Sequence, residues 1–162
     1  MAFGAVIAAL VVATTLIWVG THSNPVTGCR SNAPTNYPGG KIFQLAACGS
    51  TVDLAPHSFA SYTIPRFSDS LTLFGQYFAN GSVGAYLVNS TVLSELRAHP
   101  NVTAPPSNYV WTCGAGTNCT LAVKVPGSPA QYYLVLENTA YGSVTLRWTE
   151  ALVVFYLPTI PV

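Results

Sequence analysis

The stretch SVTLRWTEALVVFY (residues 143–156) indicates most directly which kind of fold this chain adopts. Its first half alternates between an apolar set and a polar set, which are Val144, Leu146 and Trp148, then Thr145, Arg147 and Thr149. Successive side chains of a β-strand point to opposite faces of the sheet, so this alternation predicts a strand with one buried and one wet face.

Runs of similar length and composition occur throughout the chain after residue 40. They are KIFQLAAC, TVDL, FASYTI, SLTLFGQYF, VGAYLV, NYVWT, TLAVKV and QYYLVLE. The turn sequence ENTAYGS predicts that QYYLVLE and SVTLRW form a hairpin. One helix is predicted over STVLSELRAH (90–99), capped by Ser90 or Thr91 and ended by His99 and Pro100. Eight or nine short strands predict a mainly β fold, an Ig-like or jelly-roll-like β-sandwich over residues 41–162.

The first twenty residues, MAFGAVIAALVVATTLIWVG, carry no charge and would form an apolar α-helix about 30 Å long. The first basic side chain is Arg30 and no small-residue cleavage site follows the apolar run, so we expect residues 1–20 to stay on the chain. Small residues repeat at a spacing of four and favour close helix packing: Gly4 and Ala8, then Ala5, Ala9 and Ala13. A single-span membrane anchor is the alternative. Residues 21–40 read as a linker.

Charge and cysteine content limit the possible functions. Six Lys and Arg against five Asp and Glu give a net charge of +1, and the basic residues are scattered, which argues against nucleic acid as a partner. The four cysteines allow three pairings. The most local one joins Cys113 to Cys119 across a predicted hairpin and leaves Cys29 with Cys48. Zinc would need CxxC spacing or nearby histidines, so disulfides and an oxidising compartment are predicted.

Sequons for N-glycosylation agree with an extracellular location. The chain contains four of them, and they begin at Asn80, Asn89, Asn101 and Asn118. All lie in or beside predicted turns, where we expect a glycan to be tolerated.

Groups that would carry catalysis are sparse. The five carboxylates have no recognisable spacing and are expected to be solvated or ion-paired: Asp53, Asp69, Glu95, Glu137 and Glu150. His22, His57 and His99 form no zinc motif and are expected at the surface. A calcium site at Asp53 and Asp69 lacks an acidic loop. We therefore predict no enzyme, no metal and no cofactor; the aromatic residues suit core packing more than a carbohydrate-binding face.

The layout of an uncharged apolar helix, MAFGAVIAALVVATTLIWVG, followed by a low-charge β domain resembles archaeal type IV pilins and archaellins. This resemblance implies an extracellular cell-surface filament. Residues 1–20 would polymerise with copies of the same chain after an initial membrane stage, and residues 41–162 would form the coat.

A second stretch, YYLVLENTAYGSVTLRW, is similar to the closing hairpin of jelly-roll accessory domains on anchored ectodomains. That similarity implies the alternative of a membrane-anchored β-sandwich that binds a protein or a glycan. A third possibility is donor-strand exchange through ALVVFYLPTIPV (151–162) or the linker.

Overall fold

A computed structural model of the chain describes residues 40–99, 108–127 and 129–157. Strands make up 63% of these residues, so the domain is mainly β, as the alternating runs predict. The predicted N-terminal helix and nearly all of the linker lie outside the described residues, and so do the predicted helix-packing residues Gly4, Ala5, Ala8, Ala9 and Ala13.

Seven antiparallel strands form one sheet, and a single helix interrupts their order. The strands are β1 (Lys41–Ala46), β2 (Thr51–Leu54), β3 (Phe59–Thr63), β4 (Leu71–Asn89), β5 (Trp111–Val125), β6 (Tyr132–Asn138) and β7 (Val144–Tyr156). Helix α1 (Ser90–Ala98) follows β4 directly.

Strand β4 organises the sheet because its two halves have different partners. Leu71–Ala79 pairs with β7, whereas Val83–Asn89 pairs with β6. Strand β5 pairs along both halves of β4 from the other side. Strands β1 and β2 pair with β7, and β3 pairs with β6. The ladders are therefore nested in sequence order. The paired strands β4 and β5 lie between β3 and β6, which pair with each other, and all four lie between β2 and β7, which also pair.

The hairpin predicted between QYYLVLE and SVTLRW is wrong. In the part of the chain that the structure describes, β6 and β7 share no ladder, because each pairs with a different half of β4. The predicted strands SLTLFGQYF and VGAYLV are both parts of β4, and β5 contains TLAVKV together with the last two residues of NYVWT. The described residues therefore contain seven strands rather than eight or nine. The chain around ENTAYGS crosses from one half of the sheet to the other.

The main core lies on the inner face of the curved sheet. The alternation in β7 is confirmed, since Val144, Leu146 and Trp148 are buried in this core while Thr145, Arg147 and Thr149 are exposed. Trp148 is completely buried, and its ring meets Tyr62 and Tyr77 edge-on. Its Nε1 donates to Tyr62 Oη at 3.1 Å, so the indole's polar atom is satisfied.

A second core covers part of the outer face. Every residue from Val83 to Val88 is buried, because the outward side chains of this half of β4 lie under α1. The helix contributes Val92, Leu93 and Leu96 to this cluster. The predicted helix and its end at His99 are confirmed.

The predicted cap of α1 is wrong by one or two residues. Asn89, not Ser90 or Thr91, is the N-cap, and its Oδ1 accepts a hydrogen bond from Val92 N at 3.0 Å. Asn89 is the last residue of β4 and has the extended backbone that an N-cap requires, whereas Ser90 and Thr91 are already helical.

Candidate functional site

Two turns that are far apart in sequence meet at one end of the domain, which we call the distal tip (residues 55–58 and 139–143). Asn138 joins them. Its Nδ2 donates to the carbonyl oxygens of Leu54, Ala55 and Gly142 at 3.1, 3.0 and 2.8 Å. Its backbone nitrogen donates to Ser58 O at 2.9 Å. Because Asn138 is fully buried and its amide bonds to both turns, it holds the two turns of the tip in position relative to each other.

The exposed part of the distal tip is aromatic. Tyr141 is 92% exposed, and its ring meets the His57 imidazole edge-to-face with the centroids 5.2 Å apart. His57 has φ 54°, in the left-handed region that residues other than glycine rarely adopt. The two exposed rings of the distal tip therefore lie side by side on turns that are tied to one buried amide.

The two ends of the described domain lie at the opposite end, which we call the proximal end. Lys41, the first residue of β1, pairs with Tyr156, the last residue of β7. Strand β7 connects the two ends, because its first residue, Val144, pairs with Leu54 beside the distal tip. A straight strand of 13 residues would be about 43 Å long. The segment preceding residue 40 therefore joins the domain far from His57 and Tyr141.

An aromatic stack closes the proximal end. The Phe67 ring stacks on Tyr156 with the centroids 4.3 Å apart, and it also contacts Phe43 at 5.3 Å. Tyr156 Oη donates to Asp69 Oδ2 at 3.0 Å, and this hydrogen bond raises the pKa of Tyr156. Beside the stack, an open groove of about 560 Å³ is lined by Arg66, Phe67, Ser68, Gly127 and Pro129. The groove offers one cation and one ring face, an arrangement for contact rather than for proton transfer.

Glu137 is buried, so of the two expectations for the carboxylates, solvated or ion-paired, it is not solvated. It is buried on the outer face of β6, opposite Gly84 of β4. The Tyr86 hydroxyl forms a hydrogen bond with its side chain, and the Tyr86 ring stacks on Tyr109 at 4.5 Å. Burial, and then the negative charge of Glu137, raises the pKa of Tyr86 to about 12. The pair is consistent with a neutral phenol donating to a carboxylate inside the second core.

The other predicted polar residues lie apart. Asp53 Oδ1 accepts from Thr145 Oγ1 at 2.7 Å, while Asp69 binds Tyr156. Among the described residues no three His, Cys, Asp or Glu side chains form a group suited to a metal ion. His57 and His99 are exposed, as expected, and His22 lies outside the described residues.

The predicted disulfide between Cys113 and Cys119 is present, with Cα atoms 6.2 Å apart. Its setting differs from the predicted hairpin, because both cysteines belong to β5. Six residues of straight strand would span about 20 Å, so β5 bends sharply between them. Gly114, at φ 71°, makes the bend possible. Cys48 is also disulfide-bonded, and its predicted partner Cys29 lies outside the described residues.

The sequon asparagines occupy three different environments. Asn118 is exposed on β5, and Asn80 is exposed on β4, where its Oδ1 accepts from Thr145 N at 2.8 Å. Asn89 is half-buried as the helix cap. Asn101 lies outside the described residues.

Sequence reasoning missed Asn138 and Tyr141. The signal for Asn138 was present, since an asparagine between an apolar run and a turn commonly bonds to the backbone of that turn. Nothing in the local sequence indicated that its amide also reaches the turn after β2, because that contact spans 84 residues.

Comparison with known proteins adds no relative: no protein-family model and no curated protein matches this sequence. No helix within the described ranges is long and apolar enough to cross a membrane.

Proposed function

We propose that this chain is a structural subunit of an extracellular cell-surface filament, with residues 1–20 packing in the filament interior and the β domain exposed. The uncharged apolar segment carries the proposal, because twenty such residues need a dry environment and their small side chains allow close helix packing.

The polarity of the β domain supports this arrangement. The apolar segment precedes the proximal end, and the exposed pair His57–Tyr141 lies at the distal tip. A domain attached at its proximal end would direct its tip away from the filament axis. The Cys113–Cys119 disulfide and the exposed sequons at Asn80 and Asn118 fit an oxidising, extracellular environment.

We also infer a jelly-roll-like sandwich for the domain. The nesting of β4–β5 inside β3–β6 inside β2–β7 is the pairing that results when a long antiparallel hairpin folds over on itself. The bend of β5 at Cys113–Cys119 and the change of partner within β4 would mark the place where one layer passes into the other.

The test uses bulky substitutions that keep the segment apolar. In the full chain, Gly4→Leu with Ala8→Leu would block close helix packing while leaving the segment able to enter a membrane. We expect filaments by electron microscopy with the unaltered chain and none with this variant, which would stay in the membrane fraction. Thr14→Leu, which leaves all five small packing residues unchanged, is the matched control and should still polymerise. Filaments from the double variant would refute helix-bundled assembly.

A membrane-anchored binding domain is the second candidate, and the distal tip favours it. A 92% exposed tyrosine on a constrained turn is a natural contact point for a partner. Recovery of the unaltered chain only in detergent, as single copies, would support this function over the filament.

Fewer residues are available for donor-strand exchange than the sequence suggests. Residues 152–156 of the apolar tail already pair with β1 of their own domain. A donated strand would have to come from residues 158–162 or 21–40.

A further inference from the structure

Phe78 is an exposed aromatic residue in the middle of the sheet. It lies on β4 with 55% of its surface exposed, at the point where the first half of that strand ends. Its side chain faces outward, because Tyr77 and Ala79 on either side are buried in the main core. Helix α1 covers the other half of β4, so Phe78 lies beyond the second core.

The residues beside Phe78 on the neighbouring strands are polar. Asn118 of β5 lies directly opposite it on one side, and Arg147 of β7 lies directly opposite it on the other. Directly opposed residues of antiparallel strands have Cβ atoms about 5 Å apart and share a face. Arg147, Phe78 and Asn118 thus form a row across three strands on the outer face.

Asn118 begins the sequon Asn118-Cys119-Thr120, and its three side chains alternate between the two faces of β5. Cys119 is 3% exposed and belongs to the main core, and its disulfide partner Cys113 is an exposed residue. Asn118 and Thr120 are exposed on the opposite face. A glycan attached to Asn118 therefore extends into solvent over the row without disturbing the disulfide or the core.

We propose that, of the predicted sequons, Asn118 carries a glycan whose first sugar packs on the Phe78 ring. In the modification, Asn118 Nδ2 attacks the anomeric carbon of a lipid-phosphate-linked oligosaccharide supplied by a membrane glycosyltransferase. The new N–C bond replaces the C–O bond to the phosphate, the lipid phosphate leaves, and Nδ2 gives up one proton to the transferase. The C–H face of the sugar then covers the aromatic ring, while Arg147 is placed to donate to sugar hydroxyls.

In the other two described sequons, the asparagine is not both exposed within a regular ladder and opposite an exposed ring. The side-chain oxygen of Asn89 caps α1, and that residue is half-buried. Asn80 is exposed in the irregular stretch of β4 between Phe78 and Val83, which has no partner in β5. Asn118 is exposed within a regular ladder, with an exposed ring directly opposite.

The experiment secretes the full chain, behind a cleavable signal, from an N-glycosylating host together with a reporter glycoprotein. Glycopeptide mass spectrometry should find Asn118 occupied, and Thr120→Ala should abolish the modification at that site alone. An unmodified Asn118 beside a fully modified reporter would overturn the proposal. Glycosylation does not depend on polymerisation, so this failure would leave the proposed filament function intact.

A double-mutant cycle tests the packing. Phe78→Ala should lower the thermal midpoint of the glycosylated chain by about 3 °C more than that of the Thr120→Ala chain, because only the former has a sugar on the ring. Ring-proton resonances of the first sugar should also shift upfield in the glycosylated chain and lose that shift in Phe78→Ala. Equal midpoint changes with and without the glycan, and unshifted sugar resonances, would refute the contact even if Asn118 is modified.

Discussion

The side-chain amide of Asn138 donates a hydrogen bond to the carbonyl oxygen of Leu54 at 3.1 Å, across 84 residues of sequence. The same nitrogen reaches Ala55 and Gly142, and Asn138 Oδ1 accepts from Ala140 N at 2.8 Å. One buried side chain therefore joins the turn after β2 to the turn between β6 and β7.

Asn138→Ala should lower the free energy of unfolding by about 3 kcal/mol, because several buried backbone groups lose their partner together. Chemical denaturation followed by tryptophan fluorescence measures this loss. Thr139→Ala is the matched control, since its hydroxyl makes only one long contact, 3.4 Å to Ser82 Oγ, and we expect a change within about 0.5 kcal/mol. Equal losses in the two variants would show that Asn138 does not join the turns.

Gly84→Ala should destabilise the second core, because the Tyr86 ring lies over Gly84 and a Cβ there would collide with the Tyr86 hydroxyl and ring carbons. We expect a loss of about 2 kcal/mol, typical of overpacking. Gly142→Ala provides the comparison, since a Cβ at Gly142 meets nothing within 4 Å and its carbonyl still accepts from Asn138. Thermal unfolding of both variants should separate them by several degrees; similar midpoints would contradict the close approach of Tyr86.

Buried tyrosines should make the domain unstable at high pH. Burial raises the pKa of Tyr77 to about 12, and burial with the charge of Glu137 raises that of Tyr86 to about 12. In the unfolded chain these phenols ionise near 10. Their stabilising effect is therefore complete below pH 10 and is lost as the pH rises from 10 towards 12.

Unfolding free energies measured at pH 9, 10 and 11 test this expectation. The decline should be shallower in Tyr77→Phe, which loses a titrating group and one 3.3 Å hydrogen bond to Val83 O. Tyr141→Phe, at a 92% exposed position, should decline as the unaltered chain does. The same slope in Tyr77→Phe would mean that other groups cause the alkaline loss.

Removing the Cys113–Cys119 disulfide should cost about 2 kcal/mol, since it closes a loop of only a few residues. We expect this loss of stability to be confined to the bend of β5. In Cys113→Ser with Cys119→Ser, hydrogen exchange should speed up at 112–118, where β5 bends, and stay slow at 121–125. Uniformly faster exchange along β5 would show that the disulfide supports the whole strand.

The sequence predicted those features that depend on neighbours along the chain. Alternation in β7 separated Val144, Leu146 and Trp148 from Thr145, Arg147 and Thr149, and the structure agrees. The end of α1 at His99 was predicted correctly, as was the local Cys113–Cys119 pair.

The features that were missed depend on partners distant in sequence. The predicted hairpin between β6 and β7 is wrong because each strand pairs with a different half of β4. The sequence of β6 and β7 does not indicate how long β4 is. The burial of Glu137 was missed because Tyr86, whose hydroxyl bonds to it, lies on β4, far away in sequence. His57 and Tyr141 meet because of Asn138, so the distal tip could not be found from either turn alone.

The pairing of β7 also governs when this domain becomes complete during synthesis. Strands β1 and β2 depend on β7 for a partner, and the first half of β4 has β5 on one side and needs β7 on the other; β7 is the last strand in the described chain to leave the ribosome. Until Tyr156 has emerged, the inner faces of those strands remain open to water and to other chains. The edges of β1 and β2 therefore stay unpaired, and open to pairing with other chains, until the thirteen residues of β7 have been synthesised.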